Sequence, residues 1–293
     1  LLGVALTLLA VVLAVILASE LLAPEPAQSA PAATPAPTEA ANANSSGAVA
    51  AFAAAAPSQV DVVFGDRLLV EVSKRISKPT AKPAPRGTIL IYHTHTNESY
   101  RKAPGESYHE TEAWRTDDQN HSVVRVGEVL DGLLTDRGFD VTHDVTNHEP
   151  PDLGTAYERS LKTIASYPET FDLYIDLHRD AYTPLVYKTL SVKAGGQDVA
   201  QLMLLVGNGK GFDDAPAYFP KNLAYARKLT AALNALAPGI CQDVMVKNGR
   251  YNQHLGLSIL VEAGHNENTL MEAIQSMTYL ADAIARTLPE RNG

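Results

Sequence analysis

The chain has 293 residues, 45% of them apolar, enough for one sizeable globular core with segments to spare. Lys and Arg number 24 against 33 Asp and Glu, a net charge of −9 that excludes the basic face a nucleic-acid-binding surface needs. Cys241 is the one cysteine, which excludes an internal disulfide and a multi-cysteine metal centre, so any metal must be held by His, Asp and Glu.

Leu1 to Ala18 run apolar apart from Gly3 and Thr7, close to the ~20 residues that cross a hydrocarbon core, so residues 1–22 are expected to form a transmembrane signal-anchor helix. The run is longer than the apolar part of a cleavable signal peptide, and no A-x-A cleavage site follows Ile16. No Lys or Arg precedes Arg67, so the flank after the helix lacks the charge of a cytoplasmic side. The expected location is therefore the cell membrane, single-pass, with the catalytic domain extracytoplasmic and a short basic cytoplasmic end ahead of Leu1. Residues 23–57 are mostly Ala, Pro, Ser and Thr, with Glu25 and Glu39 as the only charges. Such a segment cannot offset the entropy of ordering, and it is expected to be a disordered Ala/Pro linker reaching on the order of 30–40 Å.

Residues 58–293 are expected to form the catalytic domain. Short apolar runs alternate there with helical periods, the texture of an α/β fold: a three-layer, mostly parallel sheet with helices on both faces. Thr88–Tyr92 reads as a strand, and Val123, Val126, Leu130 and Leu133 mark a helix that Gly138 stops. Strands follow at Phe139–Val145, Leu173–Leu177 and Leu202–Val206, a helix at Leu223, Ala226, Leu229 and Leu233, and a strand at Ser258–Glu262. Leu270, Ile274, Met277 and Ile284 mark the last helix, with Thr269 and Glu272 as a capping box.

Three of these runs end on ionisable residues, and open α/β sheets bind ligands beyond the carboxyl ends of strands. The endings are Ile91-Tyr92-His93-Thr94-His95, Asp176-Leu177-His178-Arg179-Asp180 and Leu260-Val261-Glu262-Ala263-Gly264-His265. Together they supply His, His and Glu. Catalytic zinc takes three N or O ligands and keeps one open position, with a carboxylate near enough to accept a proton. A carboxylate closing a buried strand, as Glu262 does, is costly unless a cation or proton accompanies it.

These endings, extended through Thr96-Asn97-Glu98-Ser99-Tyr100, Tyr251-Asn252-Gln253 and Asn266-Glu267-Asn268-Thr269, resemble the stage II sporulation protein P family. Val123-Val124-Arg125-Val126-Gly127 and Leu205-Val206-Gly207 fall in the same order within the resemblance, which covers roughly Thr88 to Arg286. It implies a cell-wall-amidase-like fold, membrane attachment, a Zn2+ cofactor and peptidoglycan as substrate. It makes His95 and His178 metal ligands and Glu262 the catalytic carboxylate. Related amidases fill the second ligand place with an acidic residue ahead of the first long helix; Asp118 is the expected one, with Asp117 and His109 as rivals. Glu98, Arg179, Asp180, Asn252 and Gln253 are expected to position the substrate. His93 reads as a packed, hydrogen-bonded residue, or else as an outer partner of the site. His121, His143, His148, His254 and His265 are expected at the surface or in caps.

The expected activity is that of an N-acetylmuramoyl-L-alanine amidase acting in sporulation engulfment, possible partners including a lytic transglycosylase resembling stage II sporulation protein D. The alternatives are a wall endopeptidase using the same metal and a catalytically silent wall-binding scaffold.

Overall fold

The computed structural model describes residues 85–289. The expected anchor at 1–22, the linker at 23–57 and the first part of the catalytic domain lie outside them. Among the described residues no helix is long and apolar enough to cross a membrane.

Eight strands and four α-helices alternate along this stretch. The strands are β1 (Thr88–Tyr92), β2 (Asp140–His143), β3 (Leu173–Asp180), β4 (Val192–Ala194), β5 (Gln197–Val199), β6 (Leu202–Gly207), β7 (Met245–Lys247) and β8 (Ser258–His265). The helices are α1 (Val123–Asp136), α2 (Ala156–Ala165), α3 (Ala215–Leu236) and α4 (Leu270–Thr287). Six strands form one sheet in the order β2-β1-β3-β8-β6-β7, and β4 and β5 make a separate hairpin. All neighbours in the large sheet are parallel except β6 and β8. The expected mostly parallel α/β sheet is thus present.

Strand alternation divides the core into two unequal layers. Ile89, Ile91, Leu173, Ile175, Leu177, Ile259 and Val261 pack toward α1, α3 and α4 in the main core. Leu90, Tyr92 and Tyr174 face the other way and meet Ile164 of α2 with Phe171. Ser122 caps α1 by accepting from Val124 N, and the capping box of Thr269 and Glu272 opens α4. Gly138, at φ +88°, follows the end of α1 in a conformation that glycine adopts without a side-chain clash.

Three elements are not visible in the residue pattern. Helix α2 buries Ala156, Ser160 and Ile164 at successive turns, a stripe too small and too polar to register as periodicity. The β4–β5 hairpin turns on Gly195 and Gly196, both at positive φ. Strand β7 is three residues long and largely exposed. Strands β3 and β8 each run three residues past their apolar cores, because their polar ends continue to pair with one another. That extension brings His178 and Glu262 into register.

Candidate active site

The site lies where the carboxyl ends of β1, β3 and β8 meet α2. His178 and Glu262 are cross-strand neighbours, 3% and 8% exposed. Both belong to the strand parity that faces α2. His178 Nε2 lies 2.8 Å from Asp176 Oδ1, an ion-pair contact bent off the axis of the ring N–H. Its Nδ1 lies 3.4 Å from Glu98 Oε2. Thr94 holds Asp176 from below, donating its backbone N–H at 2.8 Å and its hydroxyl at 2.7 Å. The His95 ring meets that of His178 edge-on, with centroids 5.3 Å apart, and Glu149 stands behind His95, its Oε1 4.0 Å from Nδ1. Glu149 is itself held by Arg115 at 2.5 Å and by the Asn97 N–H at 3.0 Å. The Tyr157 ring lies edge-on to His95 and nearly parallel to His178, at 5.8 and 6.5 Å.

Burial opposes charge on every one of these groups, and the outcome differs with the neighbours. For His178, burial alone would lower the pKa, but Asp176 and Glu98 on either side drive it well above the ordinary range. Burial would likewise raise Glu98, yet His178 in the first place, then Arg179 and His95, bring it down to about 2. Asp176 is lowered, its burial outweighed by His178 and Thr94. His95 is lowered by burial and by His178. Glu262 goes the opposite way: burial pushes it up to about 8, and the nearby His178 offsets only part of this.

This arrangement suits a cation. Glu262 Oε2 is buried without a hydrogen-bond partner among the described residues, whereas the unbonded ring nitrogens His95 Nδ1 and His178 Nε2 are those that face Glu149 and Asp176. Among the described residues no three His, Cys, Asp or Glu side chains are arranged so as to hold a metal ion together. Even so, the 3.4 Å between His178 Nδ1 and Glu98 Oε2 matches the roughly 3.3 Å expected of two tetrahedral zinc ligands with bonds of about 2.0–2.2 Å. Asp176 then occupies the place of the carboxylate that orients a metal-bound histidine through its other nitrogen. Without a metal, the proton on His178 balances the two carboxylates.

Of the expected ligands, His95 and His178 come together, joined by Glu98. Asp118 turns elsewhere: it accepts from Asn120 N at 3.0 Å, caps a short 3-10 turn and contacts His121 Nδ1 at 2.8 Å. Its rivals His109 and Asp117 face each other at 3.9 Å with side chains 78% and 70% exposed. The residues expected to position substrate are engaged within the protein. Glu98 accepts from Arg179 N; Arg179 donates to the carbonyls of Ser99 and Trp114; Asp180 accepts from Ala181 N and the Tyr187 hydroxyl. Asn252 Nδ2 donates to Tyr157 O and Ser160 Oγ, and Gln253 bonds Gly207 N and Leu205 O of β6. They sit where backbone leaves the sheet, and its unpaired N–H and C=O groups need partners there.

The remaining histidines divide. His93 is packed and hydrogen-bonded, its Nδ1 2.8 Å from Leu177 O and its Nε2 2.9 Å from His143 Nε2, against α1 on the far side of the sheet. Contrary to the surface expectation, His148 and His265 are buried, the first between His93 O and Thr163 Oγ1, the second against the rings of Tyr182 and Tyr187. His148 lies in a loop and His265 at the last position of β8, and both are enclosed by residues distant in sequence, which no local pattern reveals. The reading of the residues also passed over Asp176 and Tyr157. Asp176 had a signal: a lone carboxylate two residues before His178 in an apolar run shares its face.

Tyr251 and Asn252 adopt left-handed backbone, at φ +49° and +54°. Such conformations cost non-glycine residues on the order of 1–3 kcal/mol each and persist where surrounding contacts impose them. Here the Asn252 and Gln253 amides do so, and the turn sets the Tyr251 ring edge-on to Tyr157 at 5.5 Å.

The family model for stage II sporulation protein P matches residues 37–285. Stage II sporulation protein P of Bacillus subtilis (strain 168) is 25% identical over 254 residues, covering 78% of this chain; the chain spans 60% of that relative's length. Solved structures that resemble it include an N-acetylmuramoyl-L-alanine amidase from Clostridium difficile 630, at 12% identity and TM-score 0.40, covering 70% of this chain and 95% of that one. The catalytic domain of the CD27L endolysin targeting Clostridia Difficile is similar at 15% identity and TM-score 0.42, covering 70% and 99%.

Proposed function

The chain belongs to the stage II sporulation protein P family, and from that premise we propose that it is a zinc-dependent peptidoglycan hydrolase cutting the amide between N-acetylmuramic acid and L-alanine. The observation that carries this reading is the meeting of His178, Glu98 and His95 beside Glu262, a buried carboxylate whose pKa of about 8 suits proton transfer near neutrality. His95, Glu98 and His178 would hold the zinc, with Glu98 taking the place first expected of Asp118. Asp176 and Glu149 orient the two histidines from behind. A zinc ion held there would lower the pKa of water and polarise the scissile carbonyl. Glu262 accepts the proton of the attacking water, then returns it to the leaving amine, so no covalent bond to the protein forms. The Tyr157 and Tyr251 rings wall the site.

We further propose that the protein works outside the cell in sporulation engulfment, tethered by residues 1–22 and 23–57. A lytic transglycosylase resembling stage II sporulation protein D would act beside it. Muropeptide analysis of sacculi digested by the protein, with and without a chelator, tests the activity. Chelator-sensitive release of stem peptides with free L-alanine amino termini is expected. Cuts within the stem peptide would make it an endopeptidase, and sacculi bound but left intact would make it a scaffold. Protease added to intact spheroplasts tests the topology: cutting within 23–57 is expected, and protection until lysis would overturn it.

A further inference from the structure

One buried polar chain in this fold leads from a loop amide to the carboxylate beside His178. Asn252 Nδ2 can only donate, and it lies 2.9 Å from Ser160 Oγ. Ser160 Oγ lies 2.9 Å from Thr94 Oγ1, and Thr94 Oγ1 lies 2.7 Å from Asp176 Oδ2. An ionised carboxylate can only accept, so the Thr94 hydrogen goes to Asp176 and the Ser160 hydrogen to Thr94. Ser160 Oγ also lies 3.3 Å from Tyr157 O, a longer contact than the 2.9 Å to Thr94, so the shorter links run from an amide on the loop after β7 to a carboxylate in the centre of β3. Ser160 and Thr94 are completely buried and Asp176 is 1% exposed, so solvent does not compete along the chain. At its far end Asp176 meets His178 Nε2. At its near end stands Asn252, held in left-handed backbone beside Tyr251.

We propose that the Asn252–Ser160–Thr94–Asp176 chain is a positioning device that seats the Asp176 carboxylate against His178 Nε2, so presenting His178 Nδ1 toward Glu98, and that the left-handed Tyr251–Asn252 turn exists to anchor it. The chain ties three separate elements to one imidazole: α2 through Ser160, the exit of β1 through Thr94, and the 248–254 loop through Asn252. Because Asn252 Nδ2 also donates to Tyr157 O, the same amide fixes the helix turn that carries the Tyr157 ring. The inference rests on the reading of His178 as a metal-facing residue. It assigns Asn252 a role through other residues, not through contact with substrate.

The discriminating variant is Asn252→Gly. Glycine adopts φ near +54° freely, so backbone strain is relieved while the amide donor is lost. If the residue served only the turn, this variant would match or exceed the parent in stability and activity alike. The device predicts a 10- to 100-fold loss of zinc affinity in chelator competition with zinc ions alone, and a fall in kcat on soluble muropeptide with little change in KM, in a variant that still unfolds cooperatively. In the zinc-free full chain, where the His178 ring is protonated on both nitrogens, the Nε2–H resonance should shift from the position it holds beside Asp176 in the parent. Thr94→Val should do the same, and Thr94→Ser should restore the parent behaviour. Zinc affinity and kcat within twofold of the parent, together with unchanged His178 ring shifts, in Asn252→Gly would overturn the device. A parent protein that neither binds zinc nor cuts wall would overturn the metal reading instead, and the His178 ring shifts would still decide whether the chain holds the imidazole.

Discussion

His178 Nδ1 and Glu98 Oε2 face each other at 3.4 Å, while Asp176 contacts the opposite ring nitrogen at 2.8 Å. An imidazole between two buried carboxylates must carry a proton or give way to a metal, since an uncompensated buried charge is costly. Zinc should therefore displace a proton on binding, making its affinity rise with pH.

The full chain should bind about one zinc per molecule, and elemental analysis should find it lost in His95→Ala and His178→Ala. Glu98→Gln should weaken binding at least tenfold, the scale of a disturbed metal environment, while Asp118→Ala leaves it within twofold. The reverse ranking would return the acidic ligand to Asp118.

Glu262→Gln keeps the shape of the side chain but cannot accept a proton. Turnover on sacculi should fall by ~10²-fold or more with zinc content and sacculus binding retained. Near-parental turnover with zinc present would show that another residue is the base.

The raised pKa of Glu262 also bears on stability. The metal-free folded chain holds this proton up to about pH 8, whereas the unfolded chain releases it near 4.5, so its contribution is fully present below 4.5 and is lost as pH rises toward 8. Urea titrations of the metal-free chain should show a decline across that window on the order of a few kcal/mol. The decline should be absent in Glu262→Gln. Equal slopes in the two proteins would mean that the carboxylate is not held protonated.

Gly127 sits within α1, where replacement by Ala ordinarily adds roughly 1 kcal/mol of helix stability. Here a Cβ would meet His143 Nε2 at 2.6 Å and His93 Nε2 at 2.8 Å, inside the buried histidine pair. Gly127→Ala should destabilise the fold, read as a lower thermal midpoint. A rise would show that the pair yields to the methyl group.

Much of the frame can be read along the chain because it depends on local rules. The apolar runs of β1, β3, β6 and β8 mark themselves as buried strands, and the caps at Ser122 and Thr269 form from residues two or three positions away. The strand endings also deliver His95, His178 and Glu262 without reference to anything distant. What tertiary structure alone decides is which partners surround them. Glu98 and Asp118 are equally acidic in sequence, but only Glu98 reaches His178, because the β1 exit loop folds back onto the end of β3 and its carboxylate accepts from Arg179 N. Asn252 and Gln253 look like loop residues free to meet substrate, yet the loop turns their amides inward to backbone that has left the sheet. Helix α2 leaves almost no pattern, since Ala and Ser suffice where it lies close to the sheet, and yet it brings Tyr157 and Ser160 to the site. Strand parity follows from spacing alone, but the burial that raises Glu262 and the carboxylates that raise His178 arise only when three strands and a helix exclude water from the same place.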